Sequence, residues 1–204
     1  MKILGDIVSP YVRVCLVTGY EVGLGDRLDL VETDVRIATA NEDLGKLSPI
    51  AQIPVLVTDD GQVLHDSRVI VDYICQASGN RALMPGEGQA RFRVLTLQAI
   101  GQGIADASVS YRNEIAQRPK ALHWPAWLDR LQLRVETALD ALERNWADEL
   151  AETTVGSITV AVVLSYLDYR FGHWAWRDQR PALSAFHARF AMRPSMEKTA
   201  LPTP

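Results

Sequence analysis

The sequence predicts two folded parts: an α/β layer of order β-α-β-α-β-β-α over residues 1–79, and an all-helical bundle over residues 89–204. Three observations carry that expectation. Ser9-Pro10 follows an apolar opening stretch directly, and Ser as N-cap with Pro as first helical residue marks a helix start. Asp59-Asp60-Gly61 separates two short β-prone runs, where Asp-Gly is a strong hairpin signal. After the stretch 80–88, which carries Pro85, Gly86 and Gly88, strand signals fade and helical periodicity takes over.

Each element has its own reason. Met1–Val8 reads as the first strand. Beyond Ser9, residues Val12, Cys15, Leu16 and Gly19 share a face at helical spacing. Arg27–Val35 mostly alternates polar and apolar residues, as a half-buried strand does. Asn41–Leu47 makes a short helical turn, and Ile53–Thr58 and Val63–His65 are the arms of the hairpin. Asp66-Ser67 opens a helix with Val69, Ile70, Tyr73 and Ile74 on its apolar stripe, and Ser78-Gly79 stops it. Past the linker, Gln89–Gln117 is one long amphipathic helix, weakened near its middle by Gly101 and Gly103. Pro125–Leu150 is another, with Leu128, Leu131, Val135, Leu139 and Leu142 spaced by three or four. Thr159–Arg170 is apolar nearly all round in its first turns, the pattern of a bundle's central helix, and Pro181–Met192 is a shorter last helix.

At 204 residues the chain can bury a sizeable core without disulfides or metal. Its 48% hydrophobic and 23% charged residues are the balance of a globular protein. A formal net charge of −4 argues against binding nucleic acid or an anionic membrane surface, both of which need a basic face. No segment approaches the roughly 18 uninterrupted apolar residues of a membrane-spanning helix. Asp6 interrupts the opening residues before any signal-peptide core develops. Two cysteines, Cys15 and Cys75, make neither a disulfide framework nor a zinc site. The four histidines, at 65, 123, 173 and 187, lack ligand spacing and read as structural or surface residues. A cytoplasmic, metal-free protein is expected.

Three features of the first part bear on function. Ser9 sits at a strand-to-helix turn, where its hydroxyl caps the helix. Gln52-Ile53-Pro54 puts a proline at a strand start, which fits an edge, a first strand residue or a cis turn. Asp66-Ser67 sits at a helix N-terminus after a hairpin; it is a cap, and helix N-termini also bind carboxylates. Singly, each is an ordinary turn or cap.

Together, in this order on this skeleton, they resemble the glutathione S-transferase family over nearly the whole chain, in its bacterial type with serine at the active-site position. Ser9-Pro10-Tyr11-Val12-Arg13 resembles the start of the active-site helix in the family's thioredoxin-like domain. Leu47-Ser48-Pro49-Ile50-Ala51-Gln52-Ile53-Pro54-Val55-Leu56 is similar to its cis-proline loop, and residues Asp59 to Ile70 to its hairpin and glutathione-binding turn. Tyr166–Arg170 and Arg189–Ser195 resemble the last helices of bacterial members. The resemblance implies a glutathione-binding domain over 1–79, a linker over 80–88 and a helical domain over 89–204 that supplies the electrophile site.

It also implies roles. Ile53 offers its backbone N–H and C=O to the cysteinyl unit of glutathione, and Pro54, when cis, keeps that edge open. Ser67 holds the γ-glutamyl carboxylate, with Asp66 near the γ-glutamyl amine. Gln52 reaches the glycyl end, with Lys46 as the alternative. Asp106 matches a position from which a partner subunit approaches the amine; a solvated helix-face acid is the competing reading. Tyr11, Tyr111, Trp124 and Trp127 are candidate lining residues, with core packing as the alternative, and His173–Arg177 reads as packing between helices.

The implied chemistry is thiolate formation. A free thiol has a pKa of about 8.5, so few molecules are nucleophilic at neutral pH. Lowering it by two units takes about 2.7 kcal/mol of preferential thiolate stabilisation. A hydrogen bond from the Ser9 hydroxyl plus the positive helix N-terminus supplies energy of that order. Ser9 is then a donor and glutathione the co-substrate; the bound thiolate attacks a small electrophile held against the helical domain. A homodimer is expected from the resemblance. Two alternatives share the scaffold: a non-catalytic member that binds glutathione or apolar ligands or mediates protein interactions, and a glutathione-dependent dehalogenase or isomerase.

Two departures from the family pattern stand out. Relatives place an acid three residues after the Ser or Thr that starts the central helix, whereas Thr159-Val160-Ala161-Val162 has Val there, so a weak cap is expected. Ser9-Pro10-Tyr11-Val12 also lacks the Cys-x-x-Cys of thiol oxidoreductases, and Cys15 falls on the apolar face inside the helix, so disulfide reductase chemistry is not expected.

Overall fold

The computed structural model describes residues 1–203. By its contacts the chain divides into one unit running from Met1 to Gly86 and taking up the chain again from Arg193, and a second unit, Glu87–Met192. The boundary at Gly86 lies within the expected linker. The C-terminal stretch differs from the expected domain 89–204, because from Arg193 on it packs with the first unit.

The first unit holds four strands, β1 (Lys2–Gly5), β2 (Asp29–Glu32), β3 (Val55–Val57) and β4 (Val63–Leu64), in the sheet order β2-β1-β3-β4. Its helices are α1 (Pro10–Glu21), α2 (Glu42–Leu47) and α3 (Ser67–Ala77), which gives the expected thioredoxin-like order β-α-β-α-β-β-α. β1 and β2 are parallel, while β3 is antiparallel to both β1 and β4. Strands β1 and β2 are shorter than the alternation suggested. Their flanks are claimed by other bonds, such as Val8 N–H to the Asp6 carboxylate and the Gly25–Arg27 turn before β2. Gly61, at φ +85°, supplies the left-handed position that closes the β3–β4 hairpin. Asp59 anchors that hairpin to the N-terminal ammonium at 2.6 Å and to Arg27 at 2.7 Å. Helices α1 and α3 pack on each other and on β1 and β3, burying Ile3, Val12, Cys15, Ile70, Val71 and Ile74. Gly5 is required against α1, since a Cβ there would stand 2.3 Å from a Val12 methyl.

The second unit contains α4 (Gly88–Gln117), α5 (Pro125–Asn145), α6 (Ala147–Ala151), α7 (Val155–Phe171) and α8 (Pro181–Ala191). The last helix of the chain, α9 (Pro194–Lys198), lies in the first unit. The expected helix 125–150 is interrupted at Trp146, which ends α5 and precedes α6. α7 is the central helix, buried along almost its whole length, and it pairs closely with α4. That approach depends on Gly156, where a Cβ would come within 2.8 Å of the Leu97 side chain.

The expected weak cap at Thr159 is corrected here. α7 begins one turn earlier, at Val155, and Thr154 is its N-cap. Ser157 Oγ accepts from the Thr154 N–H at 2.9 Å, and Thr154 Oγ1 accepts from the Ser157 N–H at 3.3 Å. This is a reciprocal capping box with Ser in the acid's place. Thr159 is instead an interior residue whose hydroxyl bonds back to the Val155 carbonyl at 2.7 Å. The apolar run masked the true start, because Val155 and Ile158 already belong to the buried helix. Thr154→Ala is expected to lower stability by about 1–2 kcal/mol in chemical denaturation, and Thr154→Ser to retain most of it.

Candidate functional site

The strand register decides which loops meet. β1 runs toward Gly5 and hands the chain to the loop that carries Ser9. Leu4 pairs with Val55 in the antiparallel β1–β3 ladder, so the residues before β3, Ile53 and Pro54, lie at that same end of the sheet. Leu56 pairs with Leu64 in the next ladder, so β4 delivers His65, Asp66 and Ser67 to the same edge. Three segments distant in sequence therefore share one sheet edge.

Ser9 is the N-cap of α1. It is half-buried, with extended backbone, and its oxygen accepts from the Val12 N–H at 3.5 Å. Because the cap bond uses a lone pair, the hydroxyl proton is left for another acceptor. The first turn of α1 carries no acidic residue, so its positive end is not neutralised locally. Tyr11 follows Pro10 in that turn and is half-buried.

The Ile53–Pro54 peptide is cis, as is His65–Asp66. Pro54 is buried and Ile53 half-buried, and Ile53 stands two residues before the first β3 residue paired with β1. The turn leading in is tight: the Ala51 N–H reaches the Ser48 carbonyl at 2.9 Å, and Ala51 has φ +47°, a left-handed conformation that costs a non-glycine residue energy. Gln52, next in the chain, is exposed. Lys46 is exposed on α2 and paired with Asp43 at 2.7 Å.

Asp66 caps α3, accepting from the Arg68 N–H at 3.0 Å. Arg68 also holds the Asp66 carboxylate at 2.7 Å, and these bonds keep its pKa below the ordinary value despite partial burial. Ser67 is buried as the first residue of α3. Cys15 lies against this corner, its sulfur 3.4 Å from the Tyr11 carbonyl and 3.7 Å from the Ser67 carbonyl. Complete burial pushes the Cys15 thiol far up, with Asp66 adding to the effect, so this sulfur is not a nucleophile.

The other candidate residues lie in the helical unit. Asp106 is exposed on α4 and lines a groove of about 540 Å³ between α4 and α5, together with Trp127, Arg130 and Arg134. The Arg134 guanidinium lies 5.6 Å from the centre of the Trp127 ring. Trp124 is 65% exposed. Tyr111 packs edge-on against Phe171 and Trp174, and Phe171 stacks on Trp174 at 4.2 Å, so this cluster is packing.

One arrangement escaped the sequence reading, because its members are spread over 23 residues and two helices. Ser165 Oγ lies 2.9 Å from His187 Nε2, and His187 Nδ1 lies 3.8 Å from Asp168. Its hydrogen bonds assign it a packing role. Arg177 donates to Nδ1 at 2.9 Å, and a guanidinium can only donate, so the ring proton sits on Nε2 and points at Ser165. The Ser165 hydroxyl in turn donates to the Ala161 carbonyl at 3.1 Å. A histidine already protonated toward the serine is no general base for it. Trp176 Nε1 completes the network by donating to Asp168 at 2.8 Å.

Comparison with known proteins adds independent findings. Residues 8–77 match the family model described as "Glutathione S-transferase, N-terminal domain", and residues 125–189 match "Glutathione S-transferase, C-terminal domain". The chain is 28% identical to the "Uncharacterized GST-like protein YibF" of Escherichia coli (strain K12), over 99% of both sequences. It superposes with a TM-score of 0.96 on a glutathione transferase family member from Pseudomonas fluorescens Pf-5, crystallised with bound glutathione; identity is 39% over 99% of each chain. A glutathione S-transferase from Methylobacillus flagellatus KT with glutathione bound gives a TM-score of 0.86 at 29% identity, over 98% of this chain and 99% of that one.

Both cysteines are buried. A colorimetric thiol reagent at pH 8 is therefore expected to find almost no reactive sulfur in the native protein and both in denaturant; rapid native labelling at Cys15 would contradict its assignment as packing.

Proposed function

Because the chain belongs to the glutathione S-transferase family, we propose that it binds glutathione at the shared sheet edge, ionises the thiol there and adds the sulfur to a small, mostly apolar electrophile. The single observation that supports this reading most is the convergence of Ser9, Ile53-Pro54 and Asp66-Ser67 on that edge through the strand register.

Each residue is assigned what its atoms allow. Ile53, outside the β1–β3 register, offers a strand-like N–H and C=O to the cysteinyl unit. Ser67, at the start of α3, takes the γ-glutamyl carboxylate, where helix N–H groups and the positive dipole end favour an anion. Asp66 takes the γ-glutamyl amine. Its carboxylate already accepts four contacts from Arg68, so the amine has to displace part of that pairing to bind there. Gln52 is assigned to the glycyl end, with Lys46 as the alternative; Lys46 would first have to leave Asp43. Tyr11 is a further candidate contact at the helix start.

Ser9 is the donor that stabilises the thiolate. The thiol proton passes to solvent, the sulfur lone pair forms the new C–S bond, and the electron pair displaced at the electrophile leaves with its leaving group or is protonated. We assign the electrophile to the helical part of the protein and the functional form to a cytoplasmic homodimer, in which Asp106 of one subunit approaches the γ-glutamyl amine bound by the other. Two buried cysteines that form no disulfide accord with a reducing compartment.

The test is an ultraviolet titration of bound glutathione. Its thiol is expected to ionise about two units below the free value of roughly 8.5. Ser9→Ala is expected to raise that pKa by about one unit or more and cut turnover about tenfold or more, with affinity nearly intact. Ser67→Ala is expected to weaken glutathione binding by about tenfold or more, the loss of a hydrogen bond to a charged group. Binding without ionisation would make the protein a ligand carrier. An unshifted thiol pKa in Ser9→Ala would remove Ser9 from the chemistry.

A further inference from the structure

The C-terminal segment 193–199 and helix α1 belong to the same unit, and their bonds reach α1 both near its start and at its end. At the last turn of α1, the Glu21 carboxylate accepts from Arg193 Nε at 2.8 Å, Arg193 Nη2 at 2.6 Å and Ser195 Oγ at 2.5 Å. Burial alone would raise the Glu21 pKa, but these bonds outweigh it and hold the carboxyl below its ordinary value. Lys198 sits 4.7 Å from the centre of the Tyr20 ring. At the first turns, Arg13 Nε donates to the Thr199 carbonyl at 2.8 Å and Nη2 to the Met196 carbonyl at 3.4 Å.

Arg13 is an expensive residue for that place. It is 4% exposed, its Nη1 has no partner, and among the described residues no carboxylate pairs with it. Burial lowers its pKa to about 10, which leaves it charged at neutral pH. Its charge is met instead by carbonyls around the C-terminal end of α9, the negative end of that helix. An apolar side chain of similar volume would fill the space at lower desolvation cost. What the guanidinium adds is direction: two donors aimed at two carbonyls. The same residue is bonded to Ser9, since the Arg13 N–H reaches the Ser9 carbonyl at 2.9 Å.

We propose that residues 193–199 act as a splint on α1, and that Arg13, as a positioning residue, transmits the splint to the Ser9 hydroxyl. Apolar packing on the sheet and on α3 is non-directional and leaves rotation and sliding of the helix weakly fixed. Charge-assisted bonds at Arg13 and Glu21, about 12 Å apart along the axis at 1.5 Å per residue, fix both. The splint rests on the reading of Ser9 as the thiolate's hydrogen-bond donor.

The test uses the full-length protein and reads three quantities: hydrogen exchange of the C-terminal peptide, the pKa of bound glutathione and its affinity. Arg13→Met is expected to speed exchange in 194–199 about tenfold and to raise the thiol pKa by about one unit, with affinity changing less than about threefold, because Ile53 and Ser67 lie off α1. Arg13→Lys, which keeps the charge but not the fork, should recover only part of both effects. Arg193→Met releases the far end and should move exchange and thiol pKa in the same directions by less; it carries the test alone should Arg13→Met fail to fold. An unmoved thiol pKa with a released segment overturns the proposal. So does a thiol pKa fully restored by Arg13→Lys while the segment still exchanges fast, since the charge would then act directly. A wild-type protein that leaves glutathione un-ionised would remove the functional reading itself, an outcome distinct from a variant that fails to shift an already lowered pKa.

Discussion

The antiparallel pairing of β1 with β3 is the constraint on which the candidate site depends. Its register sets Leu4 opposite Val55 and thereby places the Pro54 turn beside the loop that delivers Ser9. The neighbouring β3–β4 ladder then brings Asp66 and Ser67 to the same edge. Because side chains alternate along a strand, a slip of one residue would turn Ile3 and Leu56 out of the core, and burial of both enforces the register. The core thus selects the alignment, and the alignment assembles the edge.

Helix α1 depends on that sheet and completes it. Its docking needs Gly5 bare, since any side chain there collides with Val12, and its first turn stays free of acids. Cys15 illustrates how the sequence position of a reactive side chain misleads when burial is ignored. Its sulfur lies about two turns into the helix of Ser9, yet it is enclosed completely and faces the Tyr11 and Ser67 carbonyls. In the helical unit, the serine, histidine and aspartate around His187 show the converse: contact distances alone suggest catalysis, and the direction of Arg177's donation shows a closed packing network.

Much of the fold was legible because local chemistry and tertiary packing agree there. Ser9-Pro10, Asp60-Gly61 and Asp66-Ser67 are caps and turns whose bonds span two to four residues, so the sequence contains both partners. The departures have separate causes. Thr154 was passed over for Thr159 because, in an apolar run buried on every side, periodicity carries no phase and the start must be read from the cap. Trp146 interrupts an amphipathic pattern that continues on both sides of it, so α5 and α6 looked like one helix. Segment 193–199 follows the helical domain in the chain, and nothing local in its sequence marks its attachment to α1.

By itself the sequence determined the order of elements, the two-part organisation, the caps that begin α1 and α3, and the family to which the combination belongs. The tertiary structure decided the register that gathers Ser9, Pro54 and Ser67, the burial that silences Cys15, and the pairing of Arg13 with carbonyls 183 and 186 residues away. The physical reason is range. Caps and turns are satisfied within one turn of chain, whereas desolvation and long-range pairing depend on which segments the core brings together.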